Sequence, residues 1–149
     1  MIGGCAQPGD VFEIRPYEFD DGASAPAKLV VVMGRRDQAV LFFLCTSKQK
    51  FGREPVDGCH PEPGRFTSNY FMRPPPKKRG KHAHKQRKGF SVPTWIVFEP
   101  QVRLESDWAQ WFQQGRLSRC FELAEHEFRS VRACFERCVE YSPIHAEFL

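Results

Sequence analysis

Two apolar runs separated by a short polar stretch constrain this chain more than any other feature. Leu29–Met33 (LVVVM) and Val40–Cys45 (VLFFLC) flank Arg35-Arg36-Asp37-Gln38. Both runs are short, rich in β-branched and aromatic residues, and apolar at consecutive positions, which reads as buried strand. Successive side chains of a strand point to opposite faces, so a run that is apolar throughout must be covered on both sides. The pair therefore predicts an antiparallel hairpin at the centre of a sheet, turning at residues 35–38. At the end of the second run the chain turns abruptly polar and basic, through Thr46, Ser47, Lys48, Gln49 and Lys50. A buried strand would thus carry two hydroxyls to the surface beside cations, the residue types that phosphate handling needs.

The flanking sequence fits further strands around this hairpin. Residues 1–9 read as a leader ending in the turn signal Pro8-Gly9, and Asp10–Pro16 (DVFEIRP) reads as a first strand ended by its proline. Residues 18–27 and 51–65 read as loops. Phe66–Met72 alternates loosely and predicts a fourth strand, stopped by Pro74-Pro75-Pro76 in a polyproline-II-like stretch. Phe90–Phe98 (FSVPTWIVF) returns to strand composition, with Pro93 predicting an edge position or an irregular start. The last third reads as helical: Ser106 caps a short helix stopped at Gly115, and Ser118 caps a longer one reaching Tyr141. Leu117, Phe121, Ala124, Phe128, Val131, Phe135 and Cys138 form its apolar stripe. The fold expected is one α+β domain over residues 1–149, a small curled sheet or barrel of five to six strands followed by two helices at 106–141.

Charge is distributed unevenly. The net charge of +4 is modest, but no Asp or Glu occurs between Pro63 and Phe98, while Lys and Arg recur there. Lys77–Lys88 (KKRGKHAHKQRK) is the densest part, a basic loop insertion that predicts a polyanionic partner. No window approaches the roughly 20 apolar residues of a membrane span, and the N-terminus lacks a signal-peptide pattern, so a cytoplasmic protein with reduced thiols is expected. Of the six cysteines, Cys120, Cys134 and Cys138 are expected to be small core residues rather than metal ligands.

In order and spacing, several of these segments resemble the MazF/PemK toxins. The resemblance is carried by Pro8-Gly9-Asp10-Val11, by Lys28-Leu29-Val30-Val31-Val32, by Phe43-Leu44-Cys45-Thr46-Ser47-Lys48, by Tyr70-Phe71, by Thr94-Trp95-Ile96 and by Gly115-Arg116-Leu117-Ser118. It implies an SH3-like, PemK-like barrel, usually a homodimer. It also implies a metal-independent, cofactor-free endoribonuclease of a type II toxin-antitoxin system, cleaving single-stranded RNA and neutralised by an acidic antitoxin. The hydroxyl that closes the third strand, here Thr46, belongs to the family's active site. Where the family carries an arginine in an RP pair before the second strand, this chain reads Pro26-Ala27-Lys28. Lys28 supplies the charge without the bidentate guanidinium fork.

Metal-independent RNA cleavage requires a base for the 2′-hydroxyl, donors or cations for the crowded phosphorane and an acid for the leaving 5′-oxygen. The candidates are Thr46 and Ser47 as donors, Lys28 as the cation, and His82 and His84 as proton carriers, neutral near pH 7 among neighbouring cations. His60, Asp10 and Asp21 are further proton carriers to weigh, with His60 the more ordinary loop histidine. Backbone-phosphate contacts fall to Lys48, Lys50, Arg73, Lys77, Lys78, Arg79, Lys81, Lys85, Arg87 and Lys88. Tyr70, Phe71, Phe90 and Trp95 flank them as base-stacking candidates or, more simply, core. Two other readings stand beside the nuclease: a non-catalytic nucleic-acid-binding or adaptor module on the same fold, and an unrelated α+β scaffold whose basic loop binds a protein.

Overall fold

The structure, a computed structural model, describes residues 6–47, 56–60, 70–81, 88–138 and 141–149. Among these residues it is α+β. Strands β1 (Asp10–Ile14), β4 (Lys28–Arg36), β5 (Ala39–Thr46), β6 (Gly58–Cys59), β7 (Tyr70–Met72), β8 (Thr94–Leu104) and β9 (Leu117–Glu122) form an antiparallel sheet in the order β6-β7-β8-β5-β4-β1-β9. A separate hairpin joins β2 (Tyr17–Glu18) to β3 (Ser24–Ala25) within the stretch expected to be loop. Three helices complete the fold, α1 (Glu105–Gln113), α2 (Glu125–Glu136) and α3 (Pro143–Ala146). The sheet has seven strands rather than five or six, and it stays open between its edges, β6 and β9.

The expected hairpin is β4–β5, turning at Asp37, which takes the left-handed conformation (φ 53°). Its two faces do what two-sided apolar runs require. Val31, Met33, Leu41, Phe43 and Cys45 enter one core, packed by Val131, Cys134 and Phe135 of α2. Val30, Val32, Val40 and Phe42 enter a second core on the opposite face, packed by Trp108 and Trp111 of α1 and by Tyr17. Edge-on aromatic contacts bind both layers: Phe43 against Phe135 on one side, Phe12 and Phe42 against Trp108 on the other. Each such pair adds about 0.5–1.5 kcal/mol beyond area burial.

Three expectations require correction. The long helix from Ser118 does not form. Leu117–Glu122 is instead strand β9, paired with β1, and helix begins only at Glu125. The apolar stripe was a composite. Leu117 and Phe121 are its strand part, while Phe128, Val131 and Phe135 lie on α2. Glu127 reaches back to the Ala124 N–H (3.2 Å), which closes the first turn of α2 without a hydroxyl cap. Second, β8 is an interior strand between β7 and β5, beginning immediately after Pro93 and continuing through Pro100. The register slips between Phe42 and Leu44, from Leu44↔Val97 to Phe42↔Gln101, and this bulge accommodates the proline's missing donor. Third, the thiols are not all reduced: Cys59 of β6 is bonded to Cys134 of α2, and Cys120 is exposed rather than packed in the core. Helix α1 starts at Glu105 with Leu104 at its N-cap, two residues before the start that a Ser106 cap would give. Among the described residues no helix is long and apolar enough to cross a membrane.

Candidate functional site

Val30 lies opposite Leu44 in the β4–β5 ladder. The β4–β5 pairing ends there, two residues short of Lys28 on one strand and of Thr46 on the other, which leaves both at the same end of the sheet. Thr46 is opposite Trp95, Trp95 opposite Phe71, and Phe71 opposite Gly58. A single cross-strand row therefore runs from Thr46 to the β6 edge. At the Thr46 end the surface opens into a groove of about 240 Å³, lined by Ala27, Lys28, Leu29, Cys45, Thr46, Ser47, Val92 and Thr94. Three residues singled out from the sequence, Lys28, Thr46 and Ser47, line this one groove. They come together because two adjacent antiparallel strands, one starting and one ending, meet at the same edge of the core.

Beneath the groove lies Cys45, only 4% exposed. Burial pushes its thiol well above the usual range, and the Lys28 ammonium partly opposes that shift. Cys45 is thus a neutral thiol on the buried, α2-side wall of the groove. Thr94, which the sequence reading passed over, contributes a third hydroxyl; it is buried and donates to the Val92 carbonyl (2.8 Å). With its proton committed, it can only accept from a ligand. Thr46 and Ser47 add hydroxyls to the lining, and Lys28 supplies the cation. The set suits an anionic tetrahedral group. Among the described lining residues there is no imidazole, carboxylate or guanidinium.

His60 is the described histidine placed along the row. Its ring meets Trp95 edge-on, with centroids 5.3 Å apart, and its Nε2 lies 2.6 Å from the Val56 carbonyl. A carbonyl oxygen only accepts, so in this contact Nε2 is the donor. A lone histidine after Cys59 gives no sequence signal for this position, which depends on two long-range strand pairings. His82 and His84, with Lys48, Lys50, Lys85 and Arg87, lie outside the described residues. The carboxylates are committed elsewhere. Asp10 is buried, accepting from Arg119 (2.8 Å) and from the Gln7 N–H (2.9 Å), and Asp21 accepts from the Ala23 N–H within its own turn.

The basic segment leaves the sheet at Arg73. That residue pairs with Asp57 (2.9 Å) and lies over the Phe71 ring. Lys77, Lys78, Arg79, Lys81 and Lys88 are exposed. The two limbs of the segment close on each other at Pro75 and Gly89, where a Cβ on Gly89 would come within 2.7 Å of the proline ring. The flanking aromatics do not present stacking surfaces: Tyr70, Phe71, Phe90 and Trp95 are all less than 9% exposed and belong to the interior. No cluster of three or more His, Cys, Asp or Glu side chains with metal-binding geometry occurs among the described residues. Comparison with family models, with curated proteins and with solved structures finds no match to this chain.

Proposed function

We propose that the Lys28–Thr46–Ser47 groove binds an RNA phosphodiester and that the chain is a metal-independent endoribonuclease of the toxin class. The observation that carries this is the shared lining of one groove by the three residues named from sequence. In this reading Thr46 and Ser47 donate to a non-bridging phosphoryl oxygen, and Lys28 neutralises the charge that grows in the phosphorane. A histidine takes the 2′-hydroxyl proton. The open, curled sheet is read as a relative of the SH3-like, PemK-like barrel. The implied partners follow: single-stranded RNA, an acidic antitoxin and a second copy of the chain, in the cytoplasm. The exposed lysines of the 77–88 segment support the polyanionic partner.

The groove's lack of a described proton acceptor and of an arginine favours a second reading, a non-catalytic nucleic-acid-binding module. Incubation of the pure protein with single-stranded RNA in a chelator separates the two. Cleavage is expected, falling roughly 10²–10³-fold in Thr46→Ala and in Lys28→Ala, the usual cost of losing one transition-state donor. Lys28→Arg should retain more activity than Lys28→Ala. Intact RNA that nonetheless binds the wild-type protein would leave the binding module as the function.

A further inference from the structure

The Cys59–Cys134 bond and His60 occupy opposite faces of the same edge strand. Cys59 pairs with Tyr70 and turns toward α2, where it joins Cys134 with Cα atoms 5.6 Å apart. The next residue, His60, turns the other way, against Trp95. This is the plain alternation of extended chain. Strand β6 is short: it is two residues long, sits at the sheet edge and, among the described residues, pairs through Gly58↔Phe71 and Cys59↔Tyr70. The nearest ion pair, Asp57 with Arg73, is solvent-exposed and correspondingly weak. The covalent link to the fully buried Cys134 of α2 is the firmest tether among the described contacts of the segment that carries the histidine. Cys134 is fully buried and Cys59 partly so, which leaves the bond open to attack from the Cys59 side.

We propose that the Cys59–Cys134 disulfide is a redox clamp that seats His60 against Trp95, one cross-strand step from Thr46, so that its reduction by a dithiol withdraws the histidine from the site. The proposal rests on the nuclease reading for its functional consequence. The chemistry is thiol–disulfide exchange. A dithiol's thiolate attacks one sulfur of the bond and the other leaves as a thiolate. The second thiol of the reductant then closes its own ring, so two electrons pass to the protein and two cysteine thiols result. Cys59 is here a positioning residue, acting through its neighbour.

The clamp is tested on the full chain by following the His60 ring protons by NMR, assigned with His60→Gln, before and after treatment with dithiothreitol. In the oxidised protein the Trp95 ring current should shift them from the positions of an exposed histidine. Reduction should return them there while the melting transition stays cooperative, and Cys59→Ser/Cys134→Ser should show the reduced pattern without reductant. An unchanged His60 signal, or global unfolding on reduction, overturns the clamp, the latter because the bond would then hold the whole fold. In parallel, RNA cleavage should drop roughly tenfold or more on reduction. His60→Gln should be slow in both redox states. A His60 signal that responds to reduction in a protein that never cleaves RNA would preserve the clamp and defeat the nuclease reading. A cleavage rate that ignores both reduction and His60→Gln would leave the nuclease standing and overturn the clamp's role in it.

Discussion

Cys45 is the residue whose environment makes the sharpest statement about the whole. Burial raises its pKa, with Lys28 pulling in the other direction. Burial likewise raises Tyr17, opposed by Arg103, and Tyr70, opposed by its side-chain hydrogen bond with Ser130. In each case the folded state holds a proton that the unfolded chain releases at its ordinary pKa, about 8.5 for a thiol and about 10 for a phenol. The unfolded state then binds fewer protons than the native state, and stability must fall as pH rises. Their contribution is fully present below about pH 8.5 and is lost above it, with Cys45 first and the tyrosines joining near pH 10. Denaturant titrations at successive pH values should show the decline approaching about 1.4 kcal/mol per pH unit for one fully held proton. Cys45→Ala should flatten the decline between about pH 8.5 and 10. An unchanged slope in that variant would show that the thiol is not what couples stability to pH. At this scale the site was half legible in the sequence. The hairpin that brings Lys28 and Thr46 to one groove was readable from its two apolar runs and short turn, but not the one-residue register shift between Val32 and Gly34, which counting from the turn does not reveal. His60 and Thr94 were not readable as neighbours of that pair, since their places depend on β6–β7–β8 pairings across stretches with no countable turn.

The element scale explains both the main misreading and the docking of the C-terminus. Leu117–Cys138 satisfies a helical stripe from end to end, yet Leu117–Glu122 serves the fold as the outer strand beside β1. Local periodicity cannot distinguish the two for so short an apolar set; β1, otherwise an unpaired edge, decides it. The two-sided runs of β4 and β5, by contrast, permitted only an interior hairpin. A second element-level dependence falls on Gly34. A Cβ there would overlap the Phe148 backbone carbonyl, so the end of β4 is kept bare for the segment that follows α3. Arg36 pairs with Glu147 in the same region, and Phe148 packs against the α2-side core. Gly34→Ala is therefore expected to undock residues 141–149, at a cost of about 1–3 kcal/mol. Truncation after residue 140 should cost a similar amount. The two changes together should cost no more than the larger alone, because both remove the same contact. Additive losses in a double-mutant cycle would mean that Gly34 matters to β4 itself and not to the tail.

At the scale of the molecule, the proposed function separates backbone-phosphate affinity in the basic segment from the groove at Lys28 and Thr46, and that separation can be measured. Residues 63–98 contain no acidic side chain, while the chain as a whole carries 18. That asymmetry was plain in the sequence because charge needs no fold to be counted. What composition left open was where the charge sits relative to the hydroxyl groove. The described part of the basic segment departs from β7 at Arg73 and returns at Lys88, closing on itself at Pro75 and Gly89. The groove lies at the Thr46 end of the sheet row, lined by residues of other segments. If the basic segment is the electrostatic footprint, RNA affinity should fall with salt by roughly 0.7 in log K per log salt for each phosphate neutralised. Replacing Lys77, Lys78, Arg79 and Lys81 together by Gln should lower the magnitude of that slope by about 3 and weaken binding uniformly across RNA sequences. Thr46→Ala should leave the slope unaltered and act on cleavage alone, since a neutral hydroxyl releases no counterion. Fluorescence titration of a labelled single strand between low and moderate salt measures both quantities. A full slope in this quadruple variant would move the footprint off the 77–88 segment. A reduced slope in Thr46→Ala would mean that the groove, through Lys28 beside it, carries the binding as well as the chemistry.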